Sequence, residues 1–122
     1  MNRAKEPRIE PDVEQLLPAV VLFRGLSDPT RLAIVQSLAR GEARVTDLVG
    51  ELGLAQSTIS GHLACLRECG LVDSRPVGRQ VFYSLGRGEL NDLLAAAERL
   101  LEASGQRVVL CPTYGTRKRQ RR

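Results

Sequence analysis

Histidine is nearly absent: His62 stands alone in 122 residues. Nor does the sequence show a nucleophile–base pair or a glycine-rich phosphate loop, so the chain does not read as an enzyme. No apolar run approaches the ~20 residues that a membrane span requires. The opening "MNRAKEPRIEP" lacks the apolar segment of a signal peptide. Both absences point to a cytoplasmic protein with no membrane partner. Cysteine is scarce as well, limited to Cys65, Cys69 and Cys111. In a reducing compartment an odd number of thiols speaks against a disulfide framework.

What is present fits one small domain. Apolar residues make up 43% of the chain, a globular proportion, and a core this small gains from pairing with a second copy. The net charge of +4 is concentrated at one end. The terminal "RKRQRR" carries Arg117, Lys118, Arg119, Arg121 and Arg122; without these five, 13 basic and 14 acidic residues remain. The basic end therefore reads as a solubilising tail or an extra phosphate contact, and by itself does not establish a nucleic-acid function.

The periodicity predicts mainly helix. Residues 1–11, charged and holding Pro7 and Pro11, read as a disordered arm, followed by a domain over 12–104 and a tail over 105–122. Val13, Leu16, Leu17, Val20 and Val21 set a helical pattern that Pro18 kinks or splits. In "LSDPTRLAIVQSLARG", Asp28 is an N-cap, Pro29 takes the first helical position and Gly41 ends the helix. Leu32, Val35, Leu38 and Ala39 form its expected buried stripe. "VTDLVGELG" predicts a short helix capped by Thr46 and closed by Gly53, and "STISGHLACLREC" a second, closed by Gly70. Two short helices around a glycine turn suggest a helix-turn-helix.

The period then falls to two in "LVDSRPVGRQVFYSLG", which predicts a β-hairpin with Pro76 and Gly78 at the turn and Arg75 and Arg79 near its tip. Residues 89–103 return to helix, with Leu90, Leu93, Leu94, Ala97, Leu100 and Leu101 on one broad apolar face. The fold class is thus mainly α with a β-hairpin wing (α+β): a winged helix-turn-helix whose first and last helices should form a homodimer interface.

Residues 26–85 resemble the ArsR/SmtB family of winged-helix repressors, through "LSDPTRLAIV", "STISGHLACLRECGLV" and "GRQVFYSL" taken together. The resemblance implies a dimeric repressor that leaves its operator when a metal ion binds. One family site uses histidine and carboxylates on the last helix; residues 89–103 hold Asp92, Glu98 and Glu102 but no histidine. Another uses Cys-x-Cys in the first helix of the helix-turn-helix, where this chain has "ARVTDL". What remains resembles the cadmium- and lead-sensing CmtR branch, which pairs two cysteines on the recognition helix with a third in the C-terminal region of the other subunit. Cys65 and Cys69 match the pair, and Cys111 stands as the third ligand.

At about 100° per residue, Cys65 and Cys69 lie roughly 40° apart and 90–130° away from the stripe of Ile59, Leu63 and Leu66. Small buried apolar residues would not need that displacement, although free cysteine is often buried. A redox switch is the other alternative. Fixed Cβ directions do not favour an unstrained bridge at this spacing, and the negative helix end and Glu68 oppose a free thiolate while welcoming a cation. Three sulfurs suit soft ions. The resemblance points to cadmium(II) or lead(II), and the spacing leaves zinc(II) and arsenite open.

For DNA, the start of the recognition helix offers Gln56, Ser57, Thr58 and Ser60 to base edges, and Gly61 allows close approach. His62 is counted with this helix's DNA-facing residues, with metal ligation or plain packing as alternatives. Arg75 and Arg79 would meet phosphates or the minor groove. Ala55 stands where the family often places a capping Ser or Thr, a loss that Ser57 would partly offset. These features point to a metal-responsive repressor of double-stranded operator DNA. Its rivals are a thiol sensor of arsenite, oxidants or sulfide on the same fold, and a winged-helix adaptor between proteins.

Overall fold

A computed structural model describes residues 12–110. The 1–11 arm, Cys111 and the basic end lie outside the described residues. A 3₁₀ turn over Val13–Leu16 leads into α1 (Leu17–Leu26), then α2 (Pro29–Leu38), α3 (Val45–Leu52), α4 (Gln56–Glu68), β1 (Val72–Val77), β2 (Gln80–Leu85) and α5 (Gly88–Ala103). Pro18 splits the first helical pattern as expected. The tighter turn stops at Leu16, and Pro18 sits in the first turn of α1, where its missing N–H costs nothing.

Asp28 caps α2 by accepting the Arg31 N–H at 3.0 Å. The α2 stripe differs in detail from expectation. Ile34, Val35 and Leu38 are buried, whereas Leu32 and Ala39 are half-buried. The helix ends at Leu38, before Gly41. Thr46 is not the cap of α3. It lies inside the helix, and Asp47 instead accepts the Arg44 N–H at 2.9 Å. On α4, Ile59, Leu63 and Leu66 repeat at helical spacing and are at most 1% exposed, which fixes the roll of this helix against α2 and α3. Leu71, Val72, Leu90 and Leu94 complete the core from the hairpin and α5.

β1 and β2 pair antiparallel from Val72↔Leu85 to Val77↔Gln80. The turn is therefore Gly78-Arg79, with Gly78 at φ 62°, a sign that a two-residue turn needs at its first position. Pro76 does not mark the turn: it lies within β1, opposite Val81. Tyr83 turns its N–H and C=O away from β1 to bond Ala43 at 2.7 and 2.9 Å. By two-residue alternation Pro76 belongs to the same outward-facing class, so its missing donor breaks no ladder bond. Beyond α5, residues 106–110 return toward α2 and α5, beginning with Gln106 N–H to the Leu101 carbonyl at 2.8 Å.

Candidate nucleic-acid interface and thiol pair

α3 and α4 are joined through Gly53, whose φ of 69° makes the left-handed turn between them. The link leaves the first turns of α4 outward, and Gln56, Ser57, Thr58, Ser60 and Gly61 are all exposed. Ala55 occupies the N-cap, and no side chain caps the helix there, Ser57 included.

The two hairpin arginines have different settings. Arg79 sits in the turn itself, exposed. Arg75 is not at the tip: it pairs with Phe82 in register, and its guanidinium forks onto Glu42 at 2.6 and 3.1 Å. It also lies 5.4 Å from the Phe82 ring centre, with Arg44 at 5.9 Å. Arg75 therefore braces the middle of the wing against the α2–α3 link. Glu42 is 33 residues away in sequence, which is why the hairpin pattern alone did not show the pairing.

His62 turns toward α2. Its Nδ1 stands 3.3 Å from Arg31 Nη1 and its Nε2 3.9 Å from Asp28 Oδ2. Because guanidinium only donates, Nδ1 is the acceptor and the ring proton belongs on Nε2, facing the carboxylate. The Arg31 N–H holds the Asp28 carboxyl below its ordinary value, so the acid stays charged there. Arg31 continues past His62: its Nε donates to the Gly25 carbonyl at 2.9 Å and its Nη2 to the Arg24 carbonyl at 3.0 Å. Both acceptors are in the last turn of α1, where a cation is favoured; the Arg24 carbonyl also accepts the Ser27 N–H at 3.2 Å and hydroxyl at 2.9 Å. One side chain thus ties the end of α1 to α2 and to the recognition helix, a role that no sequence pattern signals.

The thiols sit at the other end of α4. Gly70 N–H bonds the Arg67 carbonyl at 2.9 Å and Leu71 N–H the Leu66 carbonyl at 3.0 Å, with Gly70 at φ 76°. This is a Schellman closure. It places Cys69 at the C-cap and folds Leu71 back onto the core. Cys65 and Cys69 are both half-buried, and Cys69 packs on the core margin. A Cβ built on buried Gly25 would come within 3.1 Å of Cys69 Sγ and 3.3 Å of Leu71 Cδ1. Glycine is what lets the α1 backbone touch the thiol. Burial pushes the Cys69 thiol above its ordinary value, helped by the charge of Cys65, a hydrogen bond with it, and Glu68; Arg31 opposes the rise. The pair supplies two soft donors side by side, a fit for a thiophilic ion. Among the described residues no group of three or more His, Cys, Asp or Glu side chains gathers into a complete metal site.

The sequence pattern described as "Bacterial regulatory protein, arsR family" matches residues 28–74, from the α2 cap into β1. A "Probable mercury resistance operon repressor" of Streptomyces lividans is 40% identical over 91 residues, covering 75% of this chain and 72% of that protein. The chain belongs to the arsR family. This arsR-family regulator is also 46% identical over 69 residues to "HTH-type transcriptional regulator CmtR" of Mycobacterium tuberculosis, covering 57% of this chain and 58% of CmtR, less than two thirds of its length. The solved structure "HlyU from Vibrio cholerae N16961" superposes with a TM-score of 0.64 at 37% identity, over 71% of this chain and 95% of that one. The family is one of DNA-binding transcriptional regulators, and the exposed start of α4 and the wing are this chain's candidate DNA face. No described helix is long and apolar enough to cross a membrane.

Proposed function

We propose that this arsR-family repressor binds operator DNA as a homodimer in the cytoplasm and is released when a soft metal ion, cadmium(II) or lead(II), is held by Cys65, Cys69 and Cys111. The observation that carries the reading is the half-buried thiol pair at the end of the recognition helix, with Cys69 set against α1 at Gly25. A relative named for mercury resistance supports a thiophilic effector. The raised Cys69 thiol supports it too, because a thiol held protonated is a poor target for oxidants.

Dimerisation follows from α1 and α5. Leu16, Leu17, Phe23 and Leu100 are 54–70% exposed on the single chain, an apolar face that a second copy covers. Because α1 carries that face and its backbone touches Cys69, a change at the thiols reaches the subunit arrangement directly. A bound soft ion supplies a tie between the recognition helix and the segment bearing Cys111. Dimers so tied hold their two recognition helices in a spacing that no longer matches successive major grooves.

Two outcomes test this reading at its two faces. Arg79→Ala should weaken operator binding and lower the slope of log affinity against log salt by about 1, while Gln56→Ala should relax preference at one base position by about 1–3 kcal/mol. Retardation of the operator that is unmoved by both changes overturns the DNA face. Metal affinity should rise with pH and keep rising above the ordinary thiol range. Cys69 must lose a proton that its surroundings hold more tightly than usual, so protons compete at low pH and fade only above the raised value. Cadmium affinity that levels off within the ordinary thiol range would remove Cys69 from the ligand set.

A further inference from the structure

Phe82 holds two guanidinium groups against one ring. Arg75 of β1 stands opposite it in register, and the Ala43–Tyr83 pairing on the other edge of β2 brings Arg44 alongside. The guanidinium carbons of Arg75 and Arg44 lie 5.4 and 5.9 Å from the ring centre, over a π face that attracts cations. Each arginine also has its own carboxylate. Glu42 accepts from Arg75 at 2.6 and 3.1 Å, and Asp47 from Arg44 at 3.0 and 3.2 Å. Arg44 is the N-cap of α3 and Asp47 lies in its first turn, so the row joins the hairpin to the first helix of the helix-turn-helix.

Outward of this row, residues 76–81 are all exposed, Arg79 among them. A two-stranded ribbon twists more than a wide sheet and is marginal by itself. One pair of backbone bonds, between Ala43 and Tyr83, leaves a hinge. The side-chain row, one residue further out, fixes its angle. Arg79 lies three residues from Phe82 toward the tip, up to about 10 Å along the strand. A swing of about 10° at that reach moves it on the order of 2 Å, enough to break a hydrogen bond to a phosphate.

We propose that Phe82, Arg75 and Glu42 are positioning residues: they set the angle of the wing so that Arg79 meets the DNA backbone while α4 enters the groove. The inference rests on the reading that Arg79 touches operator DNA. It makes Arg75 a brace instead of a phosphate contact, and it gives an acidic residue, Glu42, a part in binding an acidic polymer.

The test uses the full-length protein and a DNA duplex that this protein selects from a random-sequence pool. Phe82→Leu changes no charge, yet it should lower the slope of log affinity against log salt by about 1, as Arg79→Ala does. Phe82→Tyr keeps the ring and should bind like the parent. Glu42→Ala removes a negative charge, so charge alone would tighten binding to DNA; loss of position should weaken it instead. In the Arg79→Ala background neither Phe82→Leu nor Glu42→Ala should cost more than about a further twofold, because the contact they serve is already gone. Cooperative unfolding transitions establish that the variants are folded. The inference is overturned if Phe82→Leu keeps the parent's slope, or if its loss adds in full to that of Arg79→Ala. It is overturned equally if Glu42→Ala binds more tightly than the parent, which would make Arg75 a phosphate contact that Glu42 holds back. If Arg79→Ala alone leaves affinity and slope unchanged, the reading of the wing falls and the inference with it.

Discussion

Cys69→Ser should retain operator binding and lose nearly all metal-driven release. Serine is close to cysteine in size, so the contact with Gly25 and the Schellman closure survive. Its hydroxyl is a hard donor that does not replace a thiolate for a soft ion. The coupling between effector and DNA, typically ~1–3 kcal/mol or about 5–150-fold in operator affinity, should fall close to nothing. Linkage is reciprocal, so DNA should also stop weakening metal binding in the variant by the same factor. Cys65→Ser and Cys111→Ser should behave alike. If the ligands come from two subunits, mixed dimers of Cys65→Ser with Cys111→Ser chains should regain one working site. Release of Cys69→Ser at the parent's cadmium concentration would defeat the thiolate switch.

The second large effect is expected away from any ligand. Arg31→Met should lower unfolding stability by about 2 kcal/mol, since it strips two carbonyls in the last turn of α1 of a charged donor and removes the partner of His62 Nδ1. Denaturant midpoints at equal slope measure this. Operator affinity should fall too, because the same side chain sets how α4 sits against α1 and α2. Arg31→Lys should restore little. Lysine has one nitrogen, whereas arginine uses Nε, Nη1 and Nη2 on three different acceptors. An Arg31→Met protein that unfolds at the parent's midpoint would show that the three-way tie carries no stability.

These two predictions separate what periodicity encodes from what it does not. The roll of α4 was legible because Ile59, Leu63 and Leu66 leave only one way to bury the helix. The α2 start was legible because Asp28-Pro29 combines a cap with a residue that fits the first turn. Gly70 was legible as a stop, and the Schellman closure explains why Cys69 falls at the helix end. Thr46 misled because two neighbouring residues can serve one helix start, and Asp47 reaches the Arg44 N–H from inside the helix. Pro76 misled because proline marks turns in most sequences but is equally at home in a strand where its nitrogen faces outward. The settings of Arg31, Arg75 and His62 were not legible in the sequence for a shared reason. Their partners are set by tertiary packing: Arg24 and Gly25 for Arg31, Glu42 for Arg75, and Arg31 for His62. Long polar side chains choose among distant acceptors, and local pattern does not rank those choices.

The most direct measurement follows operator release and thiolate-to-metal absorption together, as cadmium or lead is added to the reduced dimer on fluorescent operator DNA. The account predicts that anisotropy falls in step with the growth of sulfur-to-metal absorption, and that both signals are lost in Cys69→Ser. Release without that absorption, or full absorption with the operator still bound, would contradict it.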